Sequence, residues 1–169
     1  MKNWIKIGSL AIMLMGVATA VQAQKFGYVN SSAILAELPE VKQAESNLEA
    51  LQGQLQKKGE SMVKALQDDF MELQKQVQAG TLAPKEQTQR EQKLQEEEQK
   101  IAKFEQDMRK QIQEKRDELL SPIYEKVNQA IKDVAKENDY QFIFDQGVLL
   151  YAEDSQDVSE LVKAKLGVN

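Results

Sequence analysis

The chain has 169 residues, 41% apolar and 29% charged, with 22 basic against 27 acidic side chains and a net charge of −5. It contains no cysteine and no histidine, which excludes disulfides, thiolate nucleophiles and Cys-based metal sites and removes the commonest general base. Acidic balance without a polybasic run argues against nucleic acid or an anionic membrane surface as a partner.

Residues 1–23 read as an export signal. Lys2 and Lys6 form a positive start, residues 7–17 an apolar run, and Val21-Gln22-Ala23 a small-residue cleavage site. The run is shorter than the roughly 20 residues of a membrane span, so cleavage after Ala23 and no stable membrane anchor are expected. The mature chain would carry 20 basic and 27 acidic residues, net −7.

Residues 25–30, KFGYVN, read as a short strand. Ser31 or Ser32 can cap a short helix through Ile34, Leu35 and Leu38, and Pro39 stops it or starts the next one. From Glu40 to Ala79 a narrow apolar stripe recurs at steps of three, four and seven, through Leu48, Leu55, Met62, Leu66, Phe70 and Leu73. A narrow stripe is the pattern of a coiled-coil seam. Consecutive steps of four from Met62 to Phe70 form a stutter that relaxes the supercoil. Gly53 and Gly59 lie inside this helix, each costing ~1 kcal/mol against alanine, and Lys58 occupies a seam position. The stretch 53–59 is either a place where the rod bends or tolerated drift on an exposed surface.

AGTLAP, residues 79–84, is the strong break: Gly80 ends one helix, Thr81 or a neighbour caps the next, and Pro84 suits its first turn. A second helix runs from there to about Asn138. The short connection predicts an antiparallel hairpin in which residue i faces residue ~163 − i. Phe104 then lies at the level of Gly59, and Pro122 at the level of Val41, just past Pro39. Pro122 should kink the helix, and the two prolines mark the root of the arm.

Beyond Pro122 the helix face widens, as for packing on a core. Residues 140–145, YQFIFD, read as a second strand and 148–154, VLLYAED, as a third. Residues 155–157 cap a last helix that Gly167 closes. The predicted class is α+β, mostly helical: an antiparallel two-helix coiled-coil hairpin arm, residues 40–121, on a three-stranded β base from residues 24–39 and 122–169. A base so small and aromatic argues for self-association. The alternative is a monomeric core covered by the last helix.

This order of elements, with KFGYVN near the mature start, KFEQDMRK at 103–110 and the stretch FIFDQGVLLYAEDSQDVSELVKAKL at 142–166, resembles the Skp/OmpH family of periplasmic chaperones. The resemblance implies a homotrimer whose base strands form a barrel-like body. Its three arms would enclose a cavity that holds unfolded outer-membrane proteins without ATP, in the periplasm. From the residues themselves, no catalytic residue, cofactor or metal is expected. Phe26, Tyr28, Phe142, Phe144, Leu149 and Tyr151 would then supply the oligomer interface. Val63, Met71 and Leu82, off the stripe or at its edge, are candidate client contacts. Gly53, Gly59, Pro39 and Pro122 are candidate arm hinges. Well-known members have strongly basic arms, whereas residues 60–105 here carry seven basic and ten acidic side chains. Lipopolysaccharide binding and charge-based capture are therefore not carried over. The competing function is an envelope adaptor whose hairpin touches one fixed partner; the few residues before the arm disfavour it.

Overall fold

The computed structural model describes residues 24–168, so the expected signal segment and its cleavage site lie outside the described residues. Strand β1, Phe26–Val29, leads into helix α1, Ser31–Glu37. The cap of α1 is Asn30, one residue before the serines, whose Oδ1 accepts from the Ala33 amide at 2.8 Å. Pro39 does both things its chemistry permits. Leu38 before it is extended and ends α1, and Pro39 opens helix α2, Pro39–Gln78.

Gly80, at φ +65°, turns the chain out of α2 in the left-handed region. Helix α3, Pro84–Glu137, follows with Pro84 in its first turn. Thr81 does not cap it. The residue preceding α3 is Ala83, which makes no side-chain cap, and the Thr81 hydroxyl donates backwards to the Gln76 carbonyl at 3.2 Å.

Cross-helix contacts fix the hairpin. Lys93 Nζ meets Asp69 Oδ2 at 3.2 Å near the tip. In the middle, Phe104 lies against Gly59, 3.4 Å from where a Cβ would stand. At the root Lys126 Nζ reaches Glu40 Oε1 at 2.6 Å. The 163 − i pairing holds for the first two; at the root Lys126 lies three residues beyond the expected position, within reach of a lysine side chain. Leu55 and Leu73 are the buried stripe positions of α2 outside the base.

After α3 the chain forms strand β2, Phe142–Asp145, which pairs with β1 in parallel, Phe26 opposite Phe142 and Tyr28 opposite Phe144. Parallel neighbours require a long crossover. Here the crossover is the entire hairpin. Helix α4, Ser159–Leu166, closes the base and ends at Gly167, φ +77°. Its first turn is held by Asp157 Oδ1, which accepts from the Ser159 amide at 2.8 Å.

The core sits in the base in two adjoining clusters. Ile34 packs with Val29, Ala130, Val134, Val158 and Val162. Leu38 packs with Ala44, Ile123 and Val127, and Ile131 and Leu166 touch both clusters. The widened face of α3 beyond Pro122 is therefore spent on this core.

One predicted element is absent. The sheet has two strands, not three. Residues 146–148 form a 3-10 turn started by Asp145, whose Oδ1 accepts from the Gly147 amide at 2.8 Å. A second such turn covers Asp154–Gln156. Between them Leu149 and Tyr151 lie outside any strand. The side-chain bond of Asp145 bends the chain away from the sheet at the residue where a hairpin would have to begin. Among the described residues no helix is long and apolar enough to cross a membrane.

Candidate functional site

Two surfaces gather the candidate residues. The first is the outer face of the sheet. Period-two alternation puts Phe26, Tyr28, Phe142 and Phe144 on one face, while Gly27 and Val29 point inward, Gly27 against Tyr140 and Val158. Phe142 stacks on Phe26 at 5.8 Å and on Phe144 at 6.1 Å between ring centroids. All three rings remain 39–54% exposed. Stacking organises them without removing them from water.

Tyr28 shares the strand but not the exposure: it is buried, at 4%. The 154–158 segment runs beside β1 there, with the Val158 amide donating to the Tyr28 carbonyl at 2.9 Å and Asp157 bridging to Tyr28. One edge of β1 is thereby occupied, which leaves β2 as the open edge of the sheet. Burial, and after it the carboxylates of Asp157 and Asp154, raise the Tyr28 phenol above its ordinary value. A raised folded-state pKa means that stability is fully present below the unfolded value near 10 and is lost as pH rises through the folded value. Alkaline unfolding, followed by circular dichroism, is expected to show a decline above about pH 10 that Tyr28→Phe reduces.

Beyond β2 the chain exposes Val148 at 72%, Leu150 at 106% and Tyr151 at 80%. Leu149 is half-buried. Val148 and Leu150 were not among the sequence candidates; an apolar run straight after a Gln-Gly turn was the available signal. On the other side of the turn, the Ser31 hydroxyl and then the Gly147 amide hold the Asp145 carboxyl below its ordinary value. Asn30 ties this corner together: its amide N–H is bonded to Ser159 Oγ at 2.9 Å and its side chain to Gln146 Oε1 at 2.6 Å.

The second surface is a groove along the middle of the arm, with a volume of about 490 Å³. Leu55, Val63, Ile101, Phe104, Met108 and Ile112 form its apolar lining. Gly59 explains its position: with no side chain there, the Phe104 ring lies across α2, and the Lys58 ammonium sits over that ring at 5.2 Å from its centroid. Of the client-contact candidates only Val63 belongs to the groove. Met71, 58% exposed, and the half-buried Leu82 stand separately towards the tip. The groove lies where Gly59 leaves room for the Phe104 ring. Of the hinge candidates, Gly53 has nothing within 4 Å of a built Cβ, while Gly59 is in contact with Phe104. Pro39 and Pro122 are exposed at the root.

Four of the arm's lysines are paired with carboxylates at the surface. Lys93 lies between Asp69 and Glu97, whose hydrogen bonds, Asp69 first, raise its pKa. Lys103–Asp107, Lys110–Glu114 and Lys115–Glu118 are helix-spaced pairs. Such exposed pairs contribute little stability, roughly 0–1 kcal/mol each.

Comparison with known proteins places this architecture. The family model "Outer membrane protein (OmpH-like)" matches residues 25–166. The chain is 30% identical over 163 residues to chaperone protein Skp of Yersinia enterocolitica, covering 94% of this chain and 95% of that one. The Skp of Yersinia pseudotuberculosis is 31% identical and that of Pectobacterium atrosepticum 27%, over the same shares. A crystal structure of a candidate outer membrane chaperone (OmpH-like) from Caulobacter crescentus superposes with a TM-score of 0.74. It has 18% identity and covers 84% of this chain and 83% of that one, a likeness of fold. The base and the arm both fall inside these matches, and the chain belongs to the Skp/OmpH family.

Proposed function

We propose that the chain is an ATP-independent periplasmic holdase that keeps unfolded outer-membrane proteins from aggregating in a cavity between helical arms. The observation that carries this reading is the match to proteins named Skp over nearly the whole chain, arm and base together. Export by the segment 1–23 belongs to the same proposal, as does the division into an arm, residues 40–121, and a base, residues 24–39 and 122–169.

The working form is a homotrimer joined through the base. Supporting this are the three half-exposed stacked phenylalanines, the open edge of β2 and the exposed Val148, Leu150 and Tyr151. An apolar face beside an unpaired strand edge is a surface that another chain can cover. Leu149 adds to the interface. Tyr28, already buried within its own chain, is not available to a neighbour. The arms then surround the client. Val63, Met71 and Leu82 supply scattered weak contacts, with Gly53, Gly59, Pro39 and Pro122 adjusting arm spread. Enclosure raises effective concentration, so holding needs no tight grip.

Light scattering by a urea-denatured outer-membrane barrel, diluted with and without the mature chain, tests the function. Suppression at a few-fold excess is expected, without ATP. A monodisperse sample that leaves aggregation unchanged overturns the reading.

A further inference from the structure

We infer that the arm groove at Gly59 is a docking site for one extended, uncharged and apolar-alternating segment of an unfolded polypeptide, taken up by shape and amide hydrogen bonding rather than by charge. This deepens the holdase reading and rests on it. Along α2 the lining runs from Gln52 to Gln67. At about 1.5 Å per residue that is roughly 22 Å, the span of an extended segment of about seven residues. The volume of about 490 Å³ lies in the ordinary range of pre-formed sites, roughly 300–1,000 Å³.

The chemistry of the walls selects the occupant. The floor is apolar: Leu55 is buried, while Phe104 and Met108 are half-buried and Val63 is exposed at 39%. A segment with alternating side chains can lay one row on this floor and keep the other in water. The rim is amide. Gln52, Gln56 and Gln67 are exposed, and Gln56 Nε2 donates to Glu60 Oε1 at 3.0 Å, which positions it. Each amide both donates and accepts, as a peptide backbone requires. Formal charge at the groove comes from Lys64, Glu60 and Glu105 in the lining and from Lys58 over the Phe104 ring, two cations against two anions, so neither sign of peptide gains a clear Coulomb advantage. This also supplies a means of capture for a chain of net charge −5.

A fluorescent ten-residue peptide alternating Phe or Leu with Ser or Gln, and analogues bearing Glu or Lys in the polar row, give the test by anisotropy at low and high salt. The neutral peptide is expected to bind the mature wild-type protein with affinity changing less than about twofold with salt. Val63→Glu and Met108→Glu are each expected to weaken it about tenfold, since a carboxylate would be desolvated against the floor. Gln78→Glu, at an exposed position outside the groove, leaves it unchanged. Helicity and assembly mass are checked for each variant.

The inference is overturned if Val63→Glu and Met108→Glu bind normally, or if one charged analogue binds tighter with strong salt dependence. It also fails if Val63→Glu changes the assembly mass, which would make the occupant a second copy. Aggregation suppression by the wild type is run in parallel. If suppression holds while the peptide ignores the groove, only the docking site falls. If suppression is absent, the holdase reading falls.

Discussion

Ile34→Ala is expected to lower the stability of the protein by about 2–5 kcal/mol, the cost of a cavity in a core that cannot fully collapse around it. Ile34 is completely buried, and its neighbours come from both ends of the described residues: Val29 before the arm, Ala130 and Val134 at the end of α3, and Val158 and Val162 beyond β2. The side chain therefore joins segments separated by the whole hairpin. A base this small has only a few kcal/mol of net stability to lose. Thermal melting followed by circular dichroism should show a large fall in midpoint, with Met71→Ser, at an exposed position on the arm, as the unaffected control. A melt of Ile34→Ala indistinguishable from wild type would mean that the base core does not govern folding.

Much of this architecture is legible in the sequence, because helical periodicity and proline placement act locally. The narrow stripe marks the first arm helix. Gly80 and Pro84 mark the turn, and a simple antiparallel register brings Phe104 to Gly59, which is where the two meet. The family is legible for a related reason: the base is written in two pieces around the arm, an arrangement that few folds share.

What the sequence does not disclose depends on neighbours distant in the chain. Tyr28 alternates with Phe26 as an exposed strand residue should, yet it is buried because residues 154–158 return beside β1. The run VLLYAED has the composition of a strand, but composition cannot distinguish a paired strand from an apolar segment left without a partner in its own chain. The side chain of Asp145 decides locally against a hairpin. The groove likewise required two helices in register; on one helix, Val63 is only an off-stripe valine.

Under the proposed trimer, Phe142→Asp is expected to convert the protein to monomers and to abolish holding. Phe142 stacks on both Phe26 and Phe144, which also stack on each other at 6.5 Å, and lies on β2, the open edge of the sheet. In the single chain it is 54% exposed, so a carboxylate there stays solvated and the fold should survive, losing about 0.5–1.5 kcal/mol for each aromatic pair removed. Against a neighbouring copy the same carboxylate would be buried without a partner, at several kcal/mol for each site, and a threefold assembly would bear that cost at each of its interfaces. Mass by light scattering separates the two effects: wild type near three protomers, Phe142→Asp near one, with helicity retained in both. Loss of aggregation suppression together with the loss of mass would tie holding to enclosure. A variant that remains trimeric would remove this face from the interface, and a monomer that still suppresses aggregation would locate holding in the single arm, where the groove at Gly59 lies.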